Sequence, residues 1–256
     1  MSQDQGNIER ASAMIAGSRH TVVVTGAGIS TEAGIPDFRG ANGIYRTLGE
    51  RRVINIINIE AFRRDPLKFY KFYRQHFIFA GIEPSHAHRM LANMEKSGLI
   101  KAIVTQNIDD LHDRAGSQRV ITVHGNAGRF VCTRPACSKV YNTGYVLRCK
   151  EVVPTCAACG SILKPDVVLF GEAIQNHRQA RETILGASLV IVIGSSLTVY
   201  PLAGFVEEYA YNDGQLIIIN KGVTALDHKA TIRLEAGNTG ELLDEIDRRI
   251  ARAGGE

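Results

Sequence analysis

The stretch HTVVVTGAGIS, His20–Ser30, decides the fold. Thr21 to Thr25 is an unbroken β-branched run, as suits a strand covered on both faces in a parallel sheet. It leads straight into Gly26-Ala27-Gly28, a turn that lets backbone approach a phosphate closely ahead of a helix start. The full G-x-G-x-x-G fingerprint is not met. Thr31 stands at the third glycine position, and no acidic residue closes a second strand about twenty residues on. The turn alone is equally compatible with a tight strand–helix connection that binds nothing. It argues against an ordinary hydride-transferring dehydrogenase.

Working outward, similar runs recur at Lys101–Thr105, Val120–Val123, Asp166–Leu169, Leu189–Ile193, Leu216–Ile219 and Thr231–Leu234, and are expected to be strands. Helices are expected between them. One opens at Pro84-Ser85 and runs to Ser97 with Gly98 as its stop, and Asp109–Ala115 stops at Gly116 in the same way. Asn176–Leu185, Leu202–Tyr211 and Thr239–Arg252 complete the set. The alternation predicts an α/β fold, a parallel sheet with helices on both faces. Two segments interrupt it. Residues 40–80 are rich in aromatics and show no obvious strand, and residues 130–163 hold all five cysteines. Both are expected to be insertions that build one small module beside the sheet. Residues 41–80 and 130–163 would then form the module, and 1–40, 81–129 and 164–256 the larger domain.

The bulk properties are compatible with this. A chain of 256 residues with 45% apolar residues can bury a sizeable core. The net charge of +4 is mild and no Lys/Arg block is present, so nucleic-acid binding is not expected. The N-terminus lacks a signal-peptide apolar core, and the longest apolar runs are strand-sized, so no membrane association is expected. The protein is expected to be cytoplasmic, where cysteines serve as metal ligands or free thiols more often than as disulfides.

Several motifs could carry chemistry. Phe38 and Arg39 follow the glycine turn, where an aromatic and a guanidinium could cover a ribose and contact phosphate; alone they read as a helix-terminating loop. The second strand ends in Thr105-Gln106-Asn107-Ile108-Asp109, placing an amide and a carboxylate at alternate positions where ligands bind in a doubly wound sheet. Helix capping by Asp109 is the plain alternative. The third strand ends in His124-Gly125, a credible general base near neutral pH; the other histidines, His88 and His112 among them, are read as structural. Cys132-x4-Cys137 and Cys156-x2-Cys159 are paired thiols suited to a tetrahedral zinc, with Cys149 as a possible stand-in. Four thiolates leave zinc no open position, so the metal would be structural. Gly194-Ser195-Ser196 and Asn220 follow later strands and could contact phosphate or ribose.

Taken together these motifs resemble the sirtuin family. The matching stretches are GAGIS, GIPDFR, TQNID, HG, the paired cysteines, KPDVVLFGE at 164–172, GSSL at 194–197 and the Asn220 turn, in the family's order. The resemblance implies a Rossmann-like domain, a small zinc domain, and a cleft between them that takes NAD and an acyl-lysine peptide. By the same resemblance Gly26, Ala27, Gly28, Thr31, Phe38, Arg39, Gln106, Asn107, Ile108, Asp109, Ser195, Ser196 and Asn220 match NAD-contacting positions, and Gly194 and His124 lie in the same set. His124, Asn107 and Asp109 are the expected catalytic residues. Val168 and Phe170 match the acyl-lysine tunnel, and Gly171-Glu172 a segment that pairs with the substrate backbone. The implied chemistry is attack of the acyl oxygen on the nicotinamide ribose, departure of nicotinamide, and deprotonation of a ribose hydroxyl by His124, giving free lysine and O-acyl-ADP-ribose. A preference for neutral acyl groups is expected. Family members that take succinyl groups carry a Tyr and an Arg three residues apart, whereas here Tyr70 is followed by Tyr73, with Arg74 about 100° further round a helix. The competing expectations are a protein mono-ADP-ribosyltransferase built on the same site, a non-enzymatic NAD sensor, and the disfavoured dehydrogenase.

Overall fold

The β-branched run at Thr21–Thr25 is the centre of the molecule. In the computed structural model, which describes residues 3–40, 42–235 and 237–254, it forms β1 of a six-stranded sheet. Its companions are β2 (Ala102–Thr105), β3 (Val120–Thr122), β7 (Leu189–Ile193), β8 (Leu216–Ile219) and β9 (Ile232–Leu234). All pairings are parallel, in the order β3-β2-β1-β7-β8-β9. The chain moves outward from β1 in one direction, then returns to β7 on the other side. The crevice between the carboxyl ends of β1 and β7 is therefore the topological switch point, where such sheets bind ligands.

Alternate residues of the strands enter two cores. Val23, Ile103, Ile191 and Ile217 face α1 (Gln3–Gly17), α6 (His86–Lys96) and α11 (Thr239–Gly254). Val22, Val104, Val190 and Ile218 face α9 (His177–Leu185) and α10 (Leu202–Tyr211). Full burial of β1, β2, β7 and β8 follows from this double cover. The expected helix signals operate. Ser85 caps α6, and Gly98 and Gly116 end α6 and α7 (Leu111–Ala115) at positive φ. Among the described residues no helix is long and apolar enough to cross a membrane.

A third core lies apart from the other two. It is built from α2 (Ile44–Leu48), α3 (Glu50–Ile54), α4 (Ile59–Arg64), α5 (Pro66–His76) and α8 (Thr143–Arg148), with a three-stranded sheet. Asn58 and Asp65 cap α4 and α5, and Pro66 opens α5. The sheet has the order β5-β4-β6, with β4 at Gly125–Cys132, β5 at Val140–Asn142 and β6 at Leu163–Val167. One expectation is corrected here: the segment read as a strand at Asp166–Leu169 does not join the parallel sheet. The strand is β6, antiparallel to β4. Its apolar run matched a buried parallel strand, but Leu163, Pro165 and Val167 alternate inward as a strand with one buried face does. The buried residues of this core run from Ile44 to Phe77 and from Ala127 to Leu169.

Three glycines set the switch point. Gly26 N–H donates to Ile193 O at 3.0 Å and Gly28 N–H to Gly194 O at 2.8 Å. A Cβ on Gly28 would lie 2.7 Å from Gly194 Cα, and one on Gly194, at φ 63°, would lie 2.4 Å from Ile29 N. Backbone meets backbone here, so no side chain can give way. Gly194→Ala is expected to lower the unfolding free energy by about 2 kcal/mol or more, combining overpacking with a left-handed alanine. Urea unfolding checks this, and an unchanged midpoint would count against the close contact.

Candidate active site

Asn107 and Asp109 turn to the same side of the β2 end and meet on Ser30, in the short 3-10 helix Ala27–Ala33 after the glycine turn. Asn107 Nδ2 donates to Ser30 Oγ at 3.1 Å and to Gly26 O at 3.2 Å. Ser30 Oγ donates to Asp109 Oδ2 at 2.6 Å, and Asp109 Oδ1 accepts the Leu111 N–H at 3.1 Å. The N-cap of α7 is Asp110 and not Asp109, whose Oδ1 closes a local turn onto the first helical residue while its other oxygen faces the β1 loop. Burial raises its carboxyl above the usual range, and the bonds from Ser30 and Leu111 oppose that rise. Ser30 is a centre of this cluster that its sequence context does not single out. It lay inside the GAGIS motif, but its partner is 79 positions away.

Gln106 ties His124 to the rest. His124 Nδ1 lies 2.9 Å from Gln106 O, and a carbonyl only accepts, so Nδ1 carries the proton and Nε2 keeps the lone pair. Burial lowers the imidazole from its ordinary value, and the hydrogen bond to Gln106 opposes that drop. The Gln106 side chain accepts from Ser195 Oγ at 2.9 Å, linking the β2 end to the β7 end. Gly125 allows the chain to turn after His124: it sits at φ 85°, and a Cβ there would be 2.0 Å from Asp166 O.

The segment after β6 is stitched to both sides. Val168 N–H donates to His124 O at 2.8 Å, and Phe170 exchanges backbone hydrogen bonds with Ile57 and Ile59. Phe170 leaves 43% of its surface exposed. Glu172 is committed: it accepts the Leu169 N–H at 2.9 Å and pairs with Lys164 Nζ at 2.9 Å, across the Gly171 turn. The Glu172 N–H is committed as well, donating to Leu169 O at 3.0 Å.

Other candidates stand nearer the rim. Arg39 points to Glu50 at 3.4 Å and lies over the Tyr45 ring, while Phe38 packs on Tyr45 and Phe77. Thr31 Oγ1 donates to Gly28 O, Ser196 pairs with Thr198, and Asn220 Nδ2 donates to Gly222 O within its own turn. Ile108 O accepts the Ala127 N–H, joining β2 to β4.

The sulfurs of Cys132, Cys137, Cys156 and Cys159 all lie within 4.8 Å of one another, with Cys132–Cys159 at 3.4 Å and Cys137–Cys156 at 3.6 Å. A tetrahedron with zinc–sulfur bonds of about 2.3 Å has edges of about 3.8 Å, so the set fits a tetrathiolate zinc. Tyr141 Oη lies 3.1 Å from Cys156 Sγ as an outer partner. Cys149 stands outside the group and donates to Tyr145 O at 3.4 Å.

A doubly wound parallel sheet, with a polar cluster at its switch point and a tetrathiolate module alongside, defines a Rossmann-like nucleotide-binding class. The Sir2 family model matches residues 26–201, and the chain belongs to that family. The NAD-dependent protein deacetylase of Thermotoga maritima is 42% identical over 243 residues, covering 93% of this chain and 94% of that one. A Sir2 variant structure with a deacetylated p53 peptide and 3′-O-acetyl ADP ribose is similar at TM-score 0.87 and 40% identity, covering 97% of this chain and 98% of that one. A Sir2Tm structure bound to a propionylated peptide is similar at TM-score 0.82 and 38% identity, with the same coverage of 97% and 98%.

Purified protein is expected to carry one zinc per chain. Replacing any of the four cysteines by serine should release it and lower the thermal midpoint, because a structural site contributes folding free energy. Elemental analysis decides the point: folded, active protein without zinc would contradict it.

Proposed function

We propose that this protein removes acetyl groups from protein lysine side chains with NAD as co-substrate, giving nicotinamide and O-acetyl-ADP-ribose. The observation that carries the reading is the single fixed base: His124, proton on Nδ1 and lone pair on Nε2, at the strand end next to the Asn107–Ser30–Asp109 cluster. When bound, NAD supplies a glycosidic bond whose nicotinamide can leave. The Gly26–Ser30 turn, whose Gly26 and Gly28 N–H groups are given to Ile193 O and Gly194 O, would let the phosphates approach its backbone closely, and Gly194, Ser195, Ser196 and Asn220 would complete the nucleotide side. Asn107, its amide N–H groups held by Gly26 and Ser30, presents its Oδ1. Asp109, its carboxylate form favoured by the Ser30 and Leu111 hydrogen bonds against the upward pull of burial, would stabilise positive charge developing at the ribose. His124 Nε2 then takes a proton from a ribose hydroxyl. Val168 and Phe170 would line the acyl-lysine, and the Gly171-Glu172 segment would pair with the peptide through backbone groups other than the Glu172 N–H, which Leu169 O holds. The wide resemblance to deacetylases supports the acetyl group as substrate, and we place the protein in the cytoplasm.

Two side chains support a preference for neutral acyl groups. The Arg74 guanidinium donates to the carbonyls of Val152, Val146 and Glu151, at 2.8, 3.1 and 3.1 Å. Tyr70 donates to Leu163 O at 2.5 Å from full burial, which pushes its hydroxyl far above the usual range. Neither is free to meet an acyl carboxylate. Mass spectrometry of products from NAD and acyl-lysine peptides tests both claims. Acetyl and propionyl peptides should give nicotinamide and the O-acyl product, with kcat/KM at least about tenfold above succinyl, given the cost of burying an unpaired carboxylate. A succinyl preference would overturn the acyl assignment, and ADP-ribose on protein without deacylation would favour the transferase reading.

A further inference from the structure

Behind the strand ends lies a buried polar chain that none of the roles above uses. Ser85 backbone N–H donates to His88 Nδ1 at 3.3 Å, and its hydroxyl lies 2.8 Å from the same nitrogen. Nδ1 therefore carries a lone pair, and the neutral His88 ring keeps its proton on Nε2. His88 packs edge to face on His112, ring centroids 4.8 Å apart. His112 Nε2 lies 2.9 Å from Thr25 Oγ1, and Thr25 gives its own hydrogen to Thr105 Oγ1 at 2.8 Å. Thr25 thus accepts from His112, whose proton is on Nε2. Thr105 Oγ1 also accepts the backbone N–H of Asn107 at 3.0 Å. The order runs from the α6 cap through both histidines to the last residue of β1, the last residue of β2 and the backbone of Asn107.

Both imidazoles are buried, and burial holds His88 at about 4 and His112 at about 3, so both are neutral in ordinary buffers. His88 Nε2 and His112 Nδ1 have no hydrogen-bond partner among the described residues. One is an open donor and the other an open acceptor. Packing alone is served at least as well by apolar side chains, since a buried polar atom without a partner costs stability. The histidines hold something that apolar residues would not.

We propose that His112 is a positioning residue for NAD: backed by His88, it fixes Thr25 against Thr105 and so sets the backbone at Gly26 and Asn107. This rests on reading those two residues as part of the NAD site. Thr25 and Thr105 are partners in the parallel β1–β2 register, so their hydroxyl bond spans the last rung before the two loops diverge. Loss of the His112 donor frees the Thr25 hydroxyl to turn away from Thr105, and the Asn107 backbone then loses its fixed acceptor geometry.

The test compares His112→Leu, which keeps bulk and loses the donor, with His112→Gln, whose Nε2 can donate to Thr25. NAD affinity is read by titration calorimetry without peptide, together with the thermal midpoint and the KM for acetylated peptide. Loss of one buried hydrogen bond should weaken NAD binding about tenfold in His112→Leu, with recovery to within about twofold of wild type in His112→Gln. The peptide KM should not move. If His112→Leu does not fold, Thr25→Val decides instead, and the same loss of NAD affinity is expected. Wild-type NAD affinity in folded His112→Leu or Thr25→Val, or a His112→Gln no better than His112→Leu, would overturn the proposal. A wild type that binds no NAD would overturn the underlying reading of the site, and the proposal with it.

Discussion

The backbone contact between the Gly26–Gly28 turn and Gly194 is the constraint on which the rest depends. β1 and β7 are neighbours in the sheet but far apart in the chain, and their carboxyl ends must come together for the crevice to exist. Two backbone hydrogen bonds close the gap, at 3.0 and 2.8 Å, with no room for a Cβ on Gly28 or Gly194. The glycines are needed for this crossing before any ligand is considered. That accounts for a glycine turn that departs from the dinucleotide fingerprint. Thr31 stands where a third glycine serves helix–strand packing, and here it donates within the 3-10 helix to Gly28 O.

Around that contact, polar groups are fixed by committing their other valences. Gln106 gives its carbonyl to His124 and its side chain to Ser195, so one residue sets the His124 tautomer and joins two strand ends. Ser30 stands between Asn107 and Asp109 and orients both. His124 is in turn tied through its own carbonyl to Val168, and Phe170 to the helical module. His124, the loops after β1, β2 and β7 and the segment after β6 are therefore linked by hydrogen bonds through the strand ends. A site built this way needs little reorganisation during reaction.

Much of the larger domain was legible because its strands are uniformly apolar and its helices carry local stop signals. Leu189–Ile193 and Leu202–Tyr211 match the elements observed, and Ser85, Gly98 and Gly116 act where expected. The cysteine pairing was legible because two knuckles need only local spacing. The smaller module was not. Its helices α2, α3 and α4 span five or six residues each, too short to show a helical period. β4 begins Gly-Asn-Ala-Gly and shifts register between Asn126 and Phe130, so it shows neither alternation nor β-propensity at its start. α1 hides a modest apolar face among charges and an interior Gly6. Within the site, His124 and the TQNID residues were readable as motifs. Ser30, Gln106 as a tether, and the Thr25–His112 contact depend on partners at least 18 positions away, and nothing local marks them.

The central claim is that His124 serves a late proton-transfer step and not the release of nicotinamide. One comparison tests it most directly: the rate of deacetylation against the rate of labelled nicotinamide exchange into NAD, both with acetylated peptide, in His124→Ala and wild type. Deacetylation should fall by about 10²-fold or more, the usual scale for a lost general base, while exchange stays measurable. Loss of exchange to the same degree, with folding and NAD binding intact, would contradict the claim.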